Sequence, residues 1–357
     1  KYAVKVSLAD SDGTAVGTEQ TNATGSFDNL EVGKYKITAT LSDGTTEKKK
    51  VEKTINIKNL DDMSAYLFVH FVDTQEDATR EQIYFSVSKD GKTWTTLNNK
   101  QPYLTSNVGT QGVRDPYILR GEDGKFFIIA TDLSVYNLKN NWTAAAQQGS
   151  KSIVVWESSD LVNWSEASLV KINNDNASCT WAPEACYDPE KDEYMVFWAS
   201  VVSDDSYQKY RIYRSYTKDF KTFSAPELYI EEPNAVIDTT IIDHEGTYYR
   251  FTKNEAKSSI TMQECTSLSG DWKDVASYNL GSMTGYEGPT IYKLNGKNEW
   301  CLLLDYFSKS KGYKPFVTTD ITKGEFTADS DFSFDGTYRH GTVMPITQAE
   351  YESLTAE

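Results

Sequence analysis

A turn rich in Ser, Thr and Asp, closed by an aromatic ring, comes back five times along this chain. Its clear copies are SKDGKTW (Ser88–Trp94), SSDLVNW (Ser158–Trp164) and TKDFKTF (Thr217–Phe223). Looser copies are SLSGDW (Ser267–Trp272) and TDITKGEF (Thr319–Phe326). The closing aromatics stand 70, 59, 49 and 54 residues apart. Unequal periods of this size fit blades of four short strands joined by loops of variable length, the plan of a β-propeller. Five copies imply five blades.

A second landmark runs in phase with the first. Each repeat carries an earlier strand opening followed by an apolar, aromatic hairpin: VRDPYILRGEDGKFFIIAT, WAPEACYDPEKDEYMVFWAS, VIDTTIIDHEGTYYRFTK and YEGPTIYKLNGKNEWCLLLD. At the matching place stand Asp115, Glu184, Asp238 and Glu287, and the last opening, YRHGTVMPIT, puts His340 there. The offsets are 69, 54, 49 and 53 residues. The innermost strand of every propeller blade lines the central axis. Four acids and a histidine are therefore expected to converge in one funnel. Carboxylates gathered in this way raise one another's pKa, a strain found mainly where it serves function.

The fold class is all-β: a five-bladed propeller over residues 61–357, preceded by a small β-sandwich module over residues 1–60. In the module, YAVKVSLADSDGTAVG alternates and turns at Asp12-Gly13, GSFDNLEVGKYKITATLSDGTT adds two strands, and EKKKVEKTINI ends in another. Its spacing Gly25-x-Phe27…Leu30…Gly33-x-Tyr35 resembles the immunoglobulin-like or prealbumin-like modules often fused to secreted enzymes.

Composition narrows the partners. The formal charge of −16 repels nucleic acid and anionic membranes, so neither is expected as a partner. No apolar run approaches the length that spans a bilayer. Aromatics make up 13% of residues, with 23 Tyr and 8 Trp, a load that suits stacking on sugar-like ligands. Three histidines and no CxxC pair leave no zinc cluster. Cys179, Cys186, Cys265 and Cys301 are expected as thiols, with a Cys179–Cys186 bridge left open. The chain opens at Lys1 without a methionine, so a processed or engineered end is expected.

Several carboxylates in one pocket suit glycosidic bond cleavage, since no nucleophilic Ser or Cys motif and no nucleotide-binding glycine loop accompanies them. One acid protonates the leaving oxygen; another activates water or attacks the anomeric carbon.

Residues 62–357 resemble glycoside hydrolase family 43, the five-bladed propeller glycosidases. The matching stretches, in order, are RDPYI, WAPEA, IDTTII, EGPTIYK and RHGTVMPIT. The resemblance implies that Asp115 is the general base, Asp238 tunes and orients the acid, and Glu287 is the general acid. The family usually has Asp where this chain has Glu184, which is therefore read as a supporting or substrate-facing residue. The resemblance also implies an axial site where His340 holds calcium or another cation together with waters; no organic cofactor is expected. Further substrate-side candidates are Trp181, Arg114, Arg250, Phe71 beside His70, and Asp132, with Trp142 as a lid residue in the loop VYNLKNNWTAAAQQGS. The expected activity is inverting, exo-acting removal of an α-L-arabinofuranosyl group from a plant-type polysaccharide or oligosaccharide. The rivals are β-xylosidase, galactofuranosidase or galactanase, and a carbohydrate-binding propeller without catalysis. A monomer working outside the cytoplasm is expected.

Overall fold

The computed structural model describes residues 2–21, 27, 30, 33–57, 63–72 and 77–356. It divides into two compact units, residues 1–62 with 187–193, and residues 63–186 with 194–357. The expected boundary between residues 60 and 61, and Gly25 of the module motif, lie outside the described residues.

Among the described residues the first unit holds one four-stranded antiparallel sheet, ordered Ala15–Gln20, Tyr2–Asp10, Gly33–Asp43, Thr46–Ile57. The expected sandwich requires a second facing sheet, which is not among them. Asp12-Gly13 makes the first turn as read: Asp10 Oδ1 accepts from the Asp12 and Thr14 amides, and Gly13 takes φ +82°.

The second unit is a five-bladed β-propeller. Four blades are single four-stranded sheets, each run inner to outer along the chain. Their inner strands are Val113–Arg120, Trp181–Asp188, Val236–His244 and Glu287–Lys293. The closing blade joins the two ends of the unit. Its inner strand is the C-terminal Arg339–Thr347, which pairs antiparallel with Met63–Phe71, and Tyr84–Ser88 and Thr93–Thr96 follow outward.

The repeated turn joins the third strand of each blade to the fourth, and in the closing blade Ser333–Phe334 adds a fifth strand outside it. Its sequence signature is local hydrogen bonding. Ser88 Oγ accepts from the Gly91 amide, and Asp90 Oδ1 accepts from those of Lys92 and Thr93. Ser158 with Asp160, and Thr217 with Asp219, do the same one and two blades on. These side chains stand in for backbone partners in a reversal too tight to supply its own. Between blades the sheets pack through apolar faces. Leu67, Val69 and Phe85 of the closing blade meet Ile128 and Trp156 of the next, and Phe251 and Met262 meet Trp300 and Leu302.

Candidate active site

The inner strands break their ladders where the chemistry sits. Arg114 pairs with Thr131 but Tyr117 with Ile129; Ile237 pairs with Lys253 but Thr239 with Thr252. Glu287 pairs with Asp305 but Thr290 with Leu303; Arg339 pairs with Phe71 but Thr342 with Val69. Each gap holds one extra residue, a β-bulge, which re-aims side chains at the rim of a sheet. Asp115, Asp238 and Gly288 sit in these bulges with φ +50° each, and His340 occupies the fourth. On the remaining inner strand Ala182 takes φ +46°. Left-handed backbone at a non-glycine residue is strained, and it gathers at functional sites.

The register corrects the expected equivalence of the five residues by small steps. Asp115, Asp238 and His340 share one position. Glu287 comes one residue before the bulge that Gly288 fills, and Glu184 two residues after Ala182. A glycine is required at 288, because a Cβ there would lie 2.6 Å from His340 Cγ.

His340 is the hub. Its Nδ1 stands 3.3 Å from Asp115 Oδ1 and 3.8 Å from Asp238 Oδ2. Burial alone would push the imidazole down. The Asp238 charge, the bond and charge of Asp115 and the Glu184 charge outweigh it and raise the ring to about 9. The acids around it are driven apart. Burial would raise Asp115, but the bond and charge of His340, the Arg114 charge and a bond from Thr131 hold it below its usual range. The Thr131 hydroxyl donates to Asp115 Oδ2 at 2.9 Å while accepting from the Ala182 amide at 2.7 Å, so it ties two inner strands together. Asp238 is lifted to about 6 by burial, with His340 and Lys253 opposing and Glu287 and Asp115 adding. Glu184, fully buried with Oε2 lacking a hydrogen-bond partner, is lifted by burial to about 8.

Glu287 joins this group through its backbone and its own two cations. The Gly288 amide donates to Asp238 Oδ2 at 3.0 Å. Lys253 Nζ donates to Glu287 Oε2 at 3.0 Å, and Arg339 Nη2 to Oε1 at 3.2 Å. Arg339 also binds the buried Asp305, Nε to Oδ2 at 2.6 Å. Lys253, Arg339 and Asp305 were not anticipated from the sequence, although FTK and YRHG lie inside the stretches that were singled out.

The remaining candidates divide. Arg114 borders the site: it pairs with the buried Glu81 at 3.0 Å, and its guanidinium lies 4.3 Å from the Phe71 ring centre and 5.3 Å from that of Trp142. Phe71 is therefore a buried shelf beneath Arg114 and Arg339 rather than an open stacking face. Glu81 also accepts from Ser134 and from the amides of Val135 and Tyr136, which fixes the start of the long loop. That loop carries Trp142, the first residue of a short helix, Trp142–Gln147, with 47% of its surface exposed. The Trp142 ring meets Trp181 edge-on at 6.2 Å, and Trp181 stacks on Tyr210 at 5.3 Å. Asp132 is put to another use: it is buried and accepts from the Thr110 amide and hydroxyl, pinning the preceding loop. Arg250 is not brought to the acids. It bonds Gln263 at 2.7 Å and lies over Trp272 at 4.3 Å, on outer strands.

His340 turns its Nδ1 to two carboxylates, so the expected axial cation would have to meet this ring at Nε2. Among the described residues no group of three or more His, Cys, Asp or Glu is arranged to hold a metal ion. The positive charge that the funnel needs is supplied by His340, Lys253 and Arg339. No disulfide joins the four cysteines.

A family model described as "Probable glycosyl hydrolase domain", of the family-43-related type, matches residues 61–352. The chain belongs to this family. The chain is 29% identical to an α-L-arabinofuranosidase of Bifidobacterium longum subsp. longum, an alignment covering 92% of the chain and 35% of that relative. The chain thus spans about a third of the length of the curated relative it matches. Its fold is similar to the α-L-arabinanase of Cellvibrio cellulosa solved with arabinohexaose, at a TM-score of 0.51 and 14% identity, covering 77% of this chain and 95% of that one. A thermostable family-43 glycoside hydrolase superposes over 66% of this chain and 77% of its own, at 19% identity and a TM-score of 0.46.

Proposed function

We propose that this glycoside hydrolase is an inverting, exo-acting α-L-arabinofuranosidase. One observation carries the reading: three carboxylates meet at the strand openings with unlike environments. Asp115 is held ionised by His340 and Thr131, as a group that takes a proton from water must be. Glu287 lies on another blade, half-buried, and serves as the acid that protonates the glycosidic oxygen. Asp238, bonded to the Gly288 amide, sets its charge against that of Lys253. Environments that push like groups apart mark the acid and base roles.

In this mechanism a water forms its bond to the anomeric carbon and gives its proton to Asp115. The bond from that carbon to the glycosidic oxygen breaks as Glu287 supplies a proton to the oxygen. The exposed Trp142, with Trp181 against its edge, supplies the flat face that a sugar ring uses. The pentose preference is supported by the name of the Bifidobacterium longum relative. Substrate carbohydrate rather than any other ligand class follows from the family.

The test is a panel of nitrophenyl glycosides, with the product anomer followed by NMR. Fastest release from the α-L-arabinofuranoside, with inverted configuration in the first product, is expected. Preference for the xyloside or galactofuranoside would replace the sugar. Retention would overturn the inverting mechanism, as would Asp115 and Glu287 carboxyls near ~5 Å apart rather than the roughly 6.5–9.5 Å that admit a water.

A further inference from the structure

Lys253 is deeply buried, with 2% of its surface exposed. A lysine at this depth is rarely found unless its charge is paired. It has two anionic partners, Glu287 Oε2 at 3.0 Å and Glu255 Oε2 at 2.8 Å, and its ammonium lies 4.5 Å from the Phe307 ring centre. It faces Ile237 across the ladder, beside the Asp238 bulge. Burial would lower its pKa, but the charges of Glu287, Asp238 and Glu255 raise it instead, so the ammonium stays charged.

The two oxygens of Glu287 are not held alike. Oε1 meets Arg339 Nη2 at 3.2 Å, while the shorter bond of Arg339, at 2.6 Å, goes to Asp305. Oε2 meets the buried ammonium at the closer distance of 3.0 Å. A carboxyl oxygen that accepts from an ammonium is the poorer place for a proton.

We propose that Lys253 is a positioning residue: it pins Glu287 Oε2 and leaves Oε1, the oxygen held at the longer distance, to carry the transferable proton. This rests on the reading of Glu287 as the general acid. When the O–H bond at Oε1 breaks, the proton goes to the leaving oxygen. The electron pair stays on a carboxylate that the ammonium stabilises. Lys253 keeps its own proton throughout. Four charged groups face Glu287: Lys253 and Asp238 from one neighbouring blade, Arg339 from the other, and Asp305 from its own.

Two substitutions test the proposal in opposite directions. Lys253→Met removes the cation, so the alkaline limb of kcat/KM should move up by roughly 1–3 pH units. On alkyl glycosides, which need a proton on the leaving oxygen, kcat should fall about 10-fold or more, a part of what a general acid supplies. KM should hold within about 2-fold and activated aryl glycosides should be spared. Glu255→Gln frees the ammonium for Glu287 alone and should move the same limb down. Glu255 is 40% exposed at its side chain, so this variant decides the matter should Lys253→Met fail to fold. An unmoved limb in folded Glu255→Gln and Lys253→Met proteins overturns the role of Lys253. Glu287→Gln separates that failure from the deeper one. If it slows activated and natural substrates equally, the acid assignment is wrong and the Lys253 proposal falls with it. If it spares activated substrates, the acid assignment stands whatever Lys253 does.

Discussion

His340 should keep its proton to about pH 9, and the size of that effect can be worked from the site. Two carboxylate oxygens lie 3.3 and 3.8 Å from Nδ1. At an effective dielectric near 20 these contacts are worth about 5 and 4 kcal/mol. Burial withdraws most of that. The net rise, from an ordinary 6.5 to about 9, corresponds to roughly 3 kcal/mol in favour of the charged ring. A group raised by folding stabilises fully below its unfolded pKa, and that stability is lost as pH climbs through the folded value. Unfolding free energy from urea titrations should therefore drop between pH 6.5 and 9, by up to roughly 3 kcal/mol from this ring on top of the loss that Glu184 adds up to about pH 8, and His340→Gln should remove only the ring's share of the slope. The direct assay is long-range proton–nitrogen NMR of the imidazoles, which is tractable because the chain has three histidines. His70 serves as an internal contrast. Burial lowers it to about 4, against the pull of the Phe71 carbonyl and Asp335. The two buried rings should thus titrate at opposite ends of the range. A His340 ring that is neutral at pH 7 would refute the electrostatic account, and would make the axial cation the better explanation of how these acids are tolerated.

Gly288→Ala should cost roughly 2–5 kcal/mol, from a left-handed backbone plus a Cβ driven into His340, and should abolish turnover before it abolishes the fold; calorimetry beside activity separates the two. Trp142→Ala should raise KM and spare kcat, since the ring is exposed and touches none of the acids named above; an unchanged KM would remove it from the sugar-binding wall. Asp132→Ala should lower Tm without altering the pH profile, because its carboxylate pins a loop through Thr110; a shifted profile would bring it back among the site residues.

What could be read in advance follows from the range of the interactions involved. The repeated turn was legible because its hydrogen bonds span two or three residues, so Ser88 and Asp90 carry their own reason. The acids were legible through their phase with that turn, but only to within a residue or two. A bulge is a property of two strands in register, and nothing in EGPTIYK alone says that Gly288 rather than Glu287 is the extra residue. The basic partners were harder still. Lys253 and Arg339 are 34 and 52 residues from Glu287, in a chain with 36 Lys and Arg. Even so, the choice of Arg250 over Lys253 could have been resolved by strand geometry. Side chains alternate faces along Thr247–Asn254, and these two residues are an odd number apart, so they point to opposite sides of the blade. Asp238 opens the neighbouring strand, and the hairpin at Glu245-Gly246 puts Lys253 opposite that opening and Arg250 three residues beyond it. The cation able to reach the acids was therefore the one at the end of YYRFTK. The one in its middle was left to Gln263 and the Trp272 ring.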